Sequence, residues 1–121
     1  MKKRTLILGA SPNPERYAYK ATMKLAENGH PVFPVGLRKG KIGDHDILTD
    51  LPVIENIDTV TLYVGAKNQP QYYRYILDQI KPKRIIFNPG TENRELTNLA
   101  QKQNIETEIS CTLVLLSIDK Y

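Results

Sequence analysis

A chain of 121 residues has room for one core but not for a core plus a second substrate domain, so any function must fit on a single domain over residues 1–121. Its 40% hydrophobic and 25% charged content is that of a globular protein, and its single cysteine, Cys111, excludes an internal disulfide or a cysteine-based metal cluster. The 17 basic and 13 acidic residues give a net charge of +4 without a long basic run, which suits a small phosphorylated ligand at least as well as nucleic acid; no nucleic-acid partner is expected.

The start, "MKKRTLILGA", imitates a signal peptide, but its apolar run breaks at Ser11-Pro12-Asn13-Pro14 and no stretch is long enough to span a bilayer. A cytoplasmic protein with no membrane partner is expected. Residues 5–8 read as a buried strand before a glycine. From about residue 16 to 28, Ala18, Ala21, Thr22, Leu25 and Ala26 fall near helical spacing and Gly29 is a stop signal. Residues 32–35 read as a second strand, "RKGKIGDHD" as a basic loop, and the stretch after it as a brief strand near Ile47 and a helical turn over 52–55. The β-branched run 59–64 is a strand, and "QPQYYRYILDQI" a helix with Pro70 in its first turn. Strand 84–87, helix 92–103 with Thr91 as its cap, and strand 106–109 follow; the tail "TLVLLSI" fits either a helix or an edge strand.

Strands alternating with helices imply a doubly wound, Rossmann-like α/β domain with a mainly parallel sheet of five to six strands. In such sheets a ligand lies beyond the carboxyl ends of the strands, where the strand order reverses. Those ends are residues 9–14, 36–39, 65–69 and 88–91.

The first end, "LILGASPNPERY", keeps the tight-turn glycine of a dinucleotide fingerprint, Gly9, but carries Ser11 and Pro14 where the other two glycines would fall. Ser11 and Asn13 supply side-chain hydrogen bonds, the helix start supplies amides and a positive dipole end, and Arg16 adds a charge. The alternative is that Asn13 and Pro14 are only an N-cap and first-turn pair. After the second strand, Val35-Gly36-Leu37-Arg38-Lys39-Gly40-Lys41 offers no carboxylate until Asp44. A carboxylate here suits an unmodified ribose and cations suit a phosphorylated one; a solvated basic loop is the competing explanation. At the third end Gly65, Asn68 and Gln69 precede another helix, and at the fourth Asn88 divides between structural and ligand roles. His30 and His45 stand alone, without metal-ligand spacing. No catalytic constellation emerges, and Cys111 and the tyrosines at 72, 73 and 75 read as packing residues.

Taken in order, "LILGASPNPERY", "GHPVFPVG", "KIGDHDILTDLP", "IDTVTLYVGAKNQ", "NPGTENRELTNLAQKQNIE" and the late Cys111 resemble the small stand-alone CoA-binding domain proteins, related to the CoA-binding domain of succinyl-CoA synthetase and of the ADP-forming acyl-CoA synthetases. The resemblance implies a binder of CoA or an acyl-CoA. Gly9, Ala10, Ser11, Asn13, Pro14, Arg16 and Tyr17 match the loop that receives the CoA pyrophosphate region. Val35 and Gly36 match the strand end beside the adenosine, with Arg38 or Lys39 facing its 3′-phosphate. Val64 and Gly65, with Asn68 and Gln69, match the pantetheine side. Gly36-Leu37 stands where many relatives have Asn-Pro, and Asn88-Pro89-Gly90 where they carry a glutamine. The ligase parts of the synthetases have no counterpart in these 121 residues, so binding without turnover is expected, as a carrier, sensor or regulatory module. The alternatives are an NADP-binding oxidoreductase-like domain and a protein-interaction domain that has lost the ligand; a protein partner or homo-oligomer stays open.

Overall fold

In the computed structural model, which describes residues 2–121, five strands form one parallel sheet. They are β1 (Thr5–Leu8), β2 (Val32–Val35), β5 (Thr59–Leu62), β6 (Arg84–Phe87) and β7 (Glu106–Ile109), in the spatial order β2-β1-β5-β6-β7. Every residue of β1, β5 and β6 is buried, as expected of inner strands covered on both faces. Pairing is in step across the sheet, with Leu8 opposite Val35 on one side and Leu62 on the other. The four carboxyl ends that matter are therefore level with one another.

Alternation along the strands feeds two cores. Leu6, Leu8, Val60, Leu62, Ile85 and Phe87 pack with Tyr72, Tyr75, Ile76, Leu96 and Ala100, which places helix α2 (Arg94–Lys102) and the segment before β6 on one face. Ile7 points the other way, toward Ala18 and Leu25 of α1 (Tyr17–Glu27) and Leu116 of α3 (Thr112–Ser117). On that face the Thr61 and Thr112 hydroxyls bond at 2.8 Å, fastening α3 to the sheet. The tail is thus a helix, and Cys111, half-buried, precedes its first turn.

Four expectations are corrected. The basic segment after β2 is not all loop: β3 (Lys41–Ile42) and β4 (His45–Asp46) form an antiparallel hairpin across Gly43 and Asp44. Residues 52–55 form no helical turn; Leu51 sits at φ 47°, the β-branched Val53 and Ile54 prefer extended backbone, and the Tyr75 hydroxyl donates to Pro52 O. In place of the expected single helix over residues 69–80 stand a 3₁₀ turn, Pro70–Tyr72, and a π-helical segment, Tyr75–Ile80, which turns Tyr75, Ile76, Leu77 and Ile80 into the core; a further 3₁₀ turn, Ala66–Asn68, precedes them. Finally, Thr91 does not cap α2. Its hydroxyl donates to Asn88 O, and Asn93 caps instead, accepting from Leu96 N at 3.2 Å.

No described helix is long and apolar enough to cross a membrane.

Candidate functional site at the strand ends

β1 has β2 on one side and β5 on the other, so the strand order reverses between the loops that follow β1 and β5. At this point backbone packs directly on backbone. A Cβ on Gly9 would lie 2.9 Å from the carbonyl carbon and oxygen of Tyr63, just past β5, and Gly9 has φ 99°. A Cβ on Gly36 would lie 2.2 Å from Ala10 O. Both positions require glycine, because any side chain would push adjacent strand ends apart. The buried Val35 contributes its carbonyl, which accepts from both Gly9 N and Ala10 N at 2.9 Å. The result is a floor of main chain over three strand ends, with little side chain to keep a ligand away.

The first loop rises from this floor. Ser11 Oγ accepts from Asn13 N, and Asn13 Oδ1 accepts from Glu15 N at 3.0 Å, so Asn13 shapes the loop rather than capping α1. The helix begins only after Arg16, which provides no side-chain cap. The amides of Tyr17, Ala18 and Tyr19 consequently have no acceptor among the described residues, whereas those of Arg16 and Lys20 are paired. An uncapped helix start presents donors and a positive dipole end to an anion. Asn13, Pro14, Arg16 and Tyr17 are exposed beside it, and Ser11 is half-buried.

Beyond β2, Arg38 and Lys39 are exposed and neither is within ion-pair distance of a carboxylate among the described residues. The next cation, Lys41, is already paired with Asp46 at 3.4 Å across the hairpin. Leu37 beside them is 84% exposed.

At the third end the structure divides the expected residues. Val64 packs against the core, Gly65 has open space where its side chain would be, and Asn68 lies on the exposed 3₁₀ turn. Gln69, expected to face a ligand, is turned inward and fully buried. Its Nε2 donates to Val64 O at 2.8 Å and to Thr91 O at 2.7 Å, and its Oε1 accepts from Asn93 Nδ2 at 2.8 Å. With both Nε2 hydrogens and Oε1 engaged between two loops, this side chain is a brace. Asn88 is structural as well: its Nδ2 donates to Thr61 Oγ1 and Leu62 O, and its Oδ1 accepts from Thr112 N. Tyr63 is held against this network, and burial pushes its hydroxyl up to about 12. It stays a neutral phenol at any physiological pH.

The strand-end loops thus bring together Gly9, Ala10, Ser11, Asn13, Pro14, Arg16, Tyr17, Gly36, Arg38 and Lys39, with Gly65 and Asn68 on the far side of Gly9. Two surface depressions lie at the opposite, amino end of the sheet. One is lined by residues including Lys2, His30 and Tyr121, the other by residues including Ile57, Lys81 and Lys83, and neither reaches these loops. The bracing pair Gln69 and Asn93 and the hairpin are what sequence reasoning missed. Only the hairpin left a signal, the Gly43-Asp44 pair between two short runs.

The sequence profile described as the CoA binding domain matches residues 3–117. The chain belongs to the CoA-binding domain family. Membership in this family supports CoA binding in general. Among solved structures, a crystal structure of an uncharacterized protein is similar to this chain, 50% identical over 100% of this chain and 99% of that one, with a TM-score of 0.97. A hypothetical protein from Pyrococcus horikoshii OT3 is 27% identical over 93% of this chain and 80% of that one, with a TM-score of 0.82. The cell-free ID.343 structure from Thermus thermophilus, at 17% identity over 98% and 91% and a TM-score of 0.83, shares the fold. A comparison with curated proteins gives no match.

Proposed function

We propose that this chain binds CoA, free or acylated, across the carboxyl ends of β1, β2 and β5, and serves as a non-catalytic carrier, sensor or regulatory module. The observation that carries the reading is the pair Arg38 and Lys39, exposed and without a carboxylate partner beside the backbone floor. In this reading they take the 3′-phosphate of the ribose, the uncapped start of α1 takes the pyrophosphate, and the pantetheine arm runs past Gly65. Two charge-assisted contacts at about 1.5 kcal/mol each would make the 3′-phosphate worth about 3 kcal/mol, roughly 100-fold in affinity. The non-catalytic role is supported by the kind of groups gathered there. Amides, small hydroxyls and cations bind and orient an anion, and the bond made by the Ser11 hydroxyl is one accepted from Asn13 N, not one donated to a general base that would activate it as a nucleophile.

NADP also has a phosphorylated ribose, and it is the second reading; family membership favours CoA. Calorimetric titration of CoA, dephospho-CoA, acetyl-CoA, NADP and NAD separates them. The proposal expects CoA and acetyl-CoA to bind alike, dephospho-CoA much more weakly, and acetyl-CoA to be recovered intact. Binding of NADP alone would sink it, and silence from all five would favour a protein-interaction domain.

A further inference from the structure

Arg38 and Lys39 lie on a five-residue arch, residues 36–40, that is tied down at both feet. At the first foot, Gly36 N donates to Leu48 O at 3.0 Å and the Gly36 Cα faces Ala10 O so closely that a Cβ would come within 2.2 Å. At the second, Gly40 O accepts from Ile47 N at 2.9 Å, and a Cβ on Gly40 would meet the Pro12 ring at 2.7 Å. The two ties come from adjacent residues, Ile47 and Leu48, and this pair is itself fixed. Ile47 is buried in the cluster that includes Ile42 and Ala10, and Leu48 N donates to Pro34 O at 2.9 Å. Beyond the arch, the hairpin tip rests on α1, where a Cβ on Gly43 would meet Met23 Sδ at 3.0 Å. Only the crown of the arch, Leu37 to Lys39, is exposed.

Two adjacent like charges on a chain free to move would spread apart in water. Here the span is held by backbone bonds and by contact with the first loop, and no carboxylate neutralises the pair. A tethered cation pair is repulsive until an anion arrives, and an anion that arrives finds the donors already ordered.

We propose that Gly40, through its contact with Pro12, and the Ile47-Leu48 segment, through its two backbone bonds, are positioning elements that preset this arch for the ribose phosphate. Discrimination for the phosphorylated ligand is then a property of the fixed span as well as of the two cations. The inference rests on the assignment of Arg38 and Lys39 to the 3′-phosphate made above. It also couples the loops, since the residue that fixes the second foot, Pro12, belongs to the loop assigned to the pyrophosphate.

The test is the ratio of CoA to dephospho-CoA affinity, measured by calorimetry in three variants. Gly40→Ala pushes the foot off Pro12. A glycine inserted between Lys39 and Gly40 lengthens the arch without touching a packed contact. Pro12→Gly in the Gly40→Ala background removes the clash. The ratio should fall by about tenfold in the insertion variant with dephospho-CoA affinity within about twofold, and by a similar factor in Gly40→Ala, where the shift of Pro12 also lowers dephospho-CoA affinity; the third variant should recover part of the ratio, because the alanine keeps its strain at φ 157°. An unchanged ratio in the first two, or a proportional loss of both ligands, overturns the inference while leaving the site assignment standing. A wild-type chain that binds both ligands equally removes the site assignment itself, and the inference with it. If Gly40→Ala does not fold, the insertion variant decides alone, because it adds no side chain to the contact.

Discussion

Replacing Gln69 with leucine separates a brace from a ligand contact. The glutamine is fully buried, with hydrogen bonds of 2.8 Å to Val64 O, 2.7 Å to Thr91 O and 2.8 Å from Asn93 Nδ2. Leucine nearly conserves volume, so the loss is mainly the three bonds, at about 1 kcal/mol each, or about 3 kcal/mol. Leaving Thr91 O, buried with its residue 4% exposed, without a donor raises the expected loss to about 4 kcal/mol. For a domain of this size that lowers the thermal midpoint by about 10–15 °C. Urea unfolding followed by circular dichroism should show a lower midpoint at an unchanged slope. Combining the change with Asn93→Ala should cost about 1 kcal/mol less than the two separately, since they share one bond. A Gln69→Leu protein with its midpoint within about 2 °C of wild type but with CoA binding abolished would refute the reasoning. It would mean that the side chain faces the ligand.

Three further outcomes follow from the same geometry. Gly36→Ala, whose Cβ would lie 2.2 Å from Ala10 O, must separate the ends of β1 and β2 and should cost about 2–3 kcal/mol together with CoA affinity; a fully stable, binding-competent variant would contradict the packed floor. Arg38→Ala with Lys39→Ala should weaken CoA by roughly 100-fold and dephospho-CoA by less than about twofold, and equal losses would defeat that placement of the phosphate. His30 is held below its ordinary value of 6.5 by burial and then by the cations Lys2 and Lys3, and its Nδ1 accepts from Lys3 N. Below pH 6.5 the unfolded chain therefore binds the proton more readily than the folded one, so this contribution to stability is complete above 6.5 and declines as pH falls toward the lowered folded value. The thermal midpoint should drop as pH falls below about 6.5, and His30→Gln should flatten that slope; an equally steep slope in the variant would rule the imidazole out.

The strands were legible because a parallel sheet buried on both faces leaves continuous apolar and β-branched runs. β2, β6 and β7 fall on the residues expected, and β5 ends two residues early, at Leu62. The hairpin left only its turn pair, Gly43-Asp44, to read, because strands of two residues carry no period. Residues 69–80 read as one helix, yet with Tyr72, Tyr75, Ile76, Leu77 and Ile80 all turned inward they form a 3₁₀ turn and a π-helical segment. At the site, Gly9 was legible as the tight-turn glycine of a fingerprint and Gly36 as a strand end, but that their Cα atoms lie against the main chain of Tyr63 and Ala10 is seen only in the fold. Gln69 could not. Nothing local distinguishes a glutamine that reaches a ligand from one buried against an asparagine 24 residues further along the chain.

The central claim is that CoA lies across the carboxyl ends of β1, β2 and β5. Its most direct test is a titration with CoA followed by the backbone amide resonances of the protein. The account predicts that the largest shifts fall on residues 9–19, 36–40 and 63–68, and that the shifts at 36–40 shrink when dephospho-CoA replaces CoA. Shifts confined to the amino end of the sheet, around His30 and Tyr121 or around Ile57 and Lys83, would contradict it.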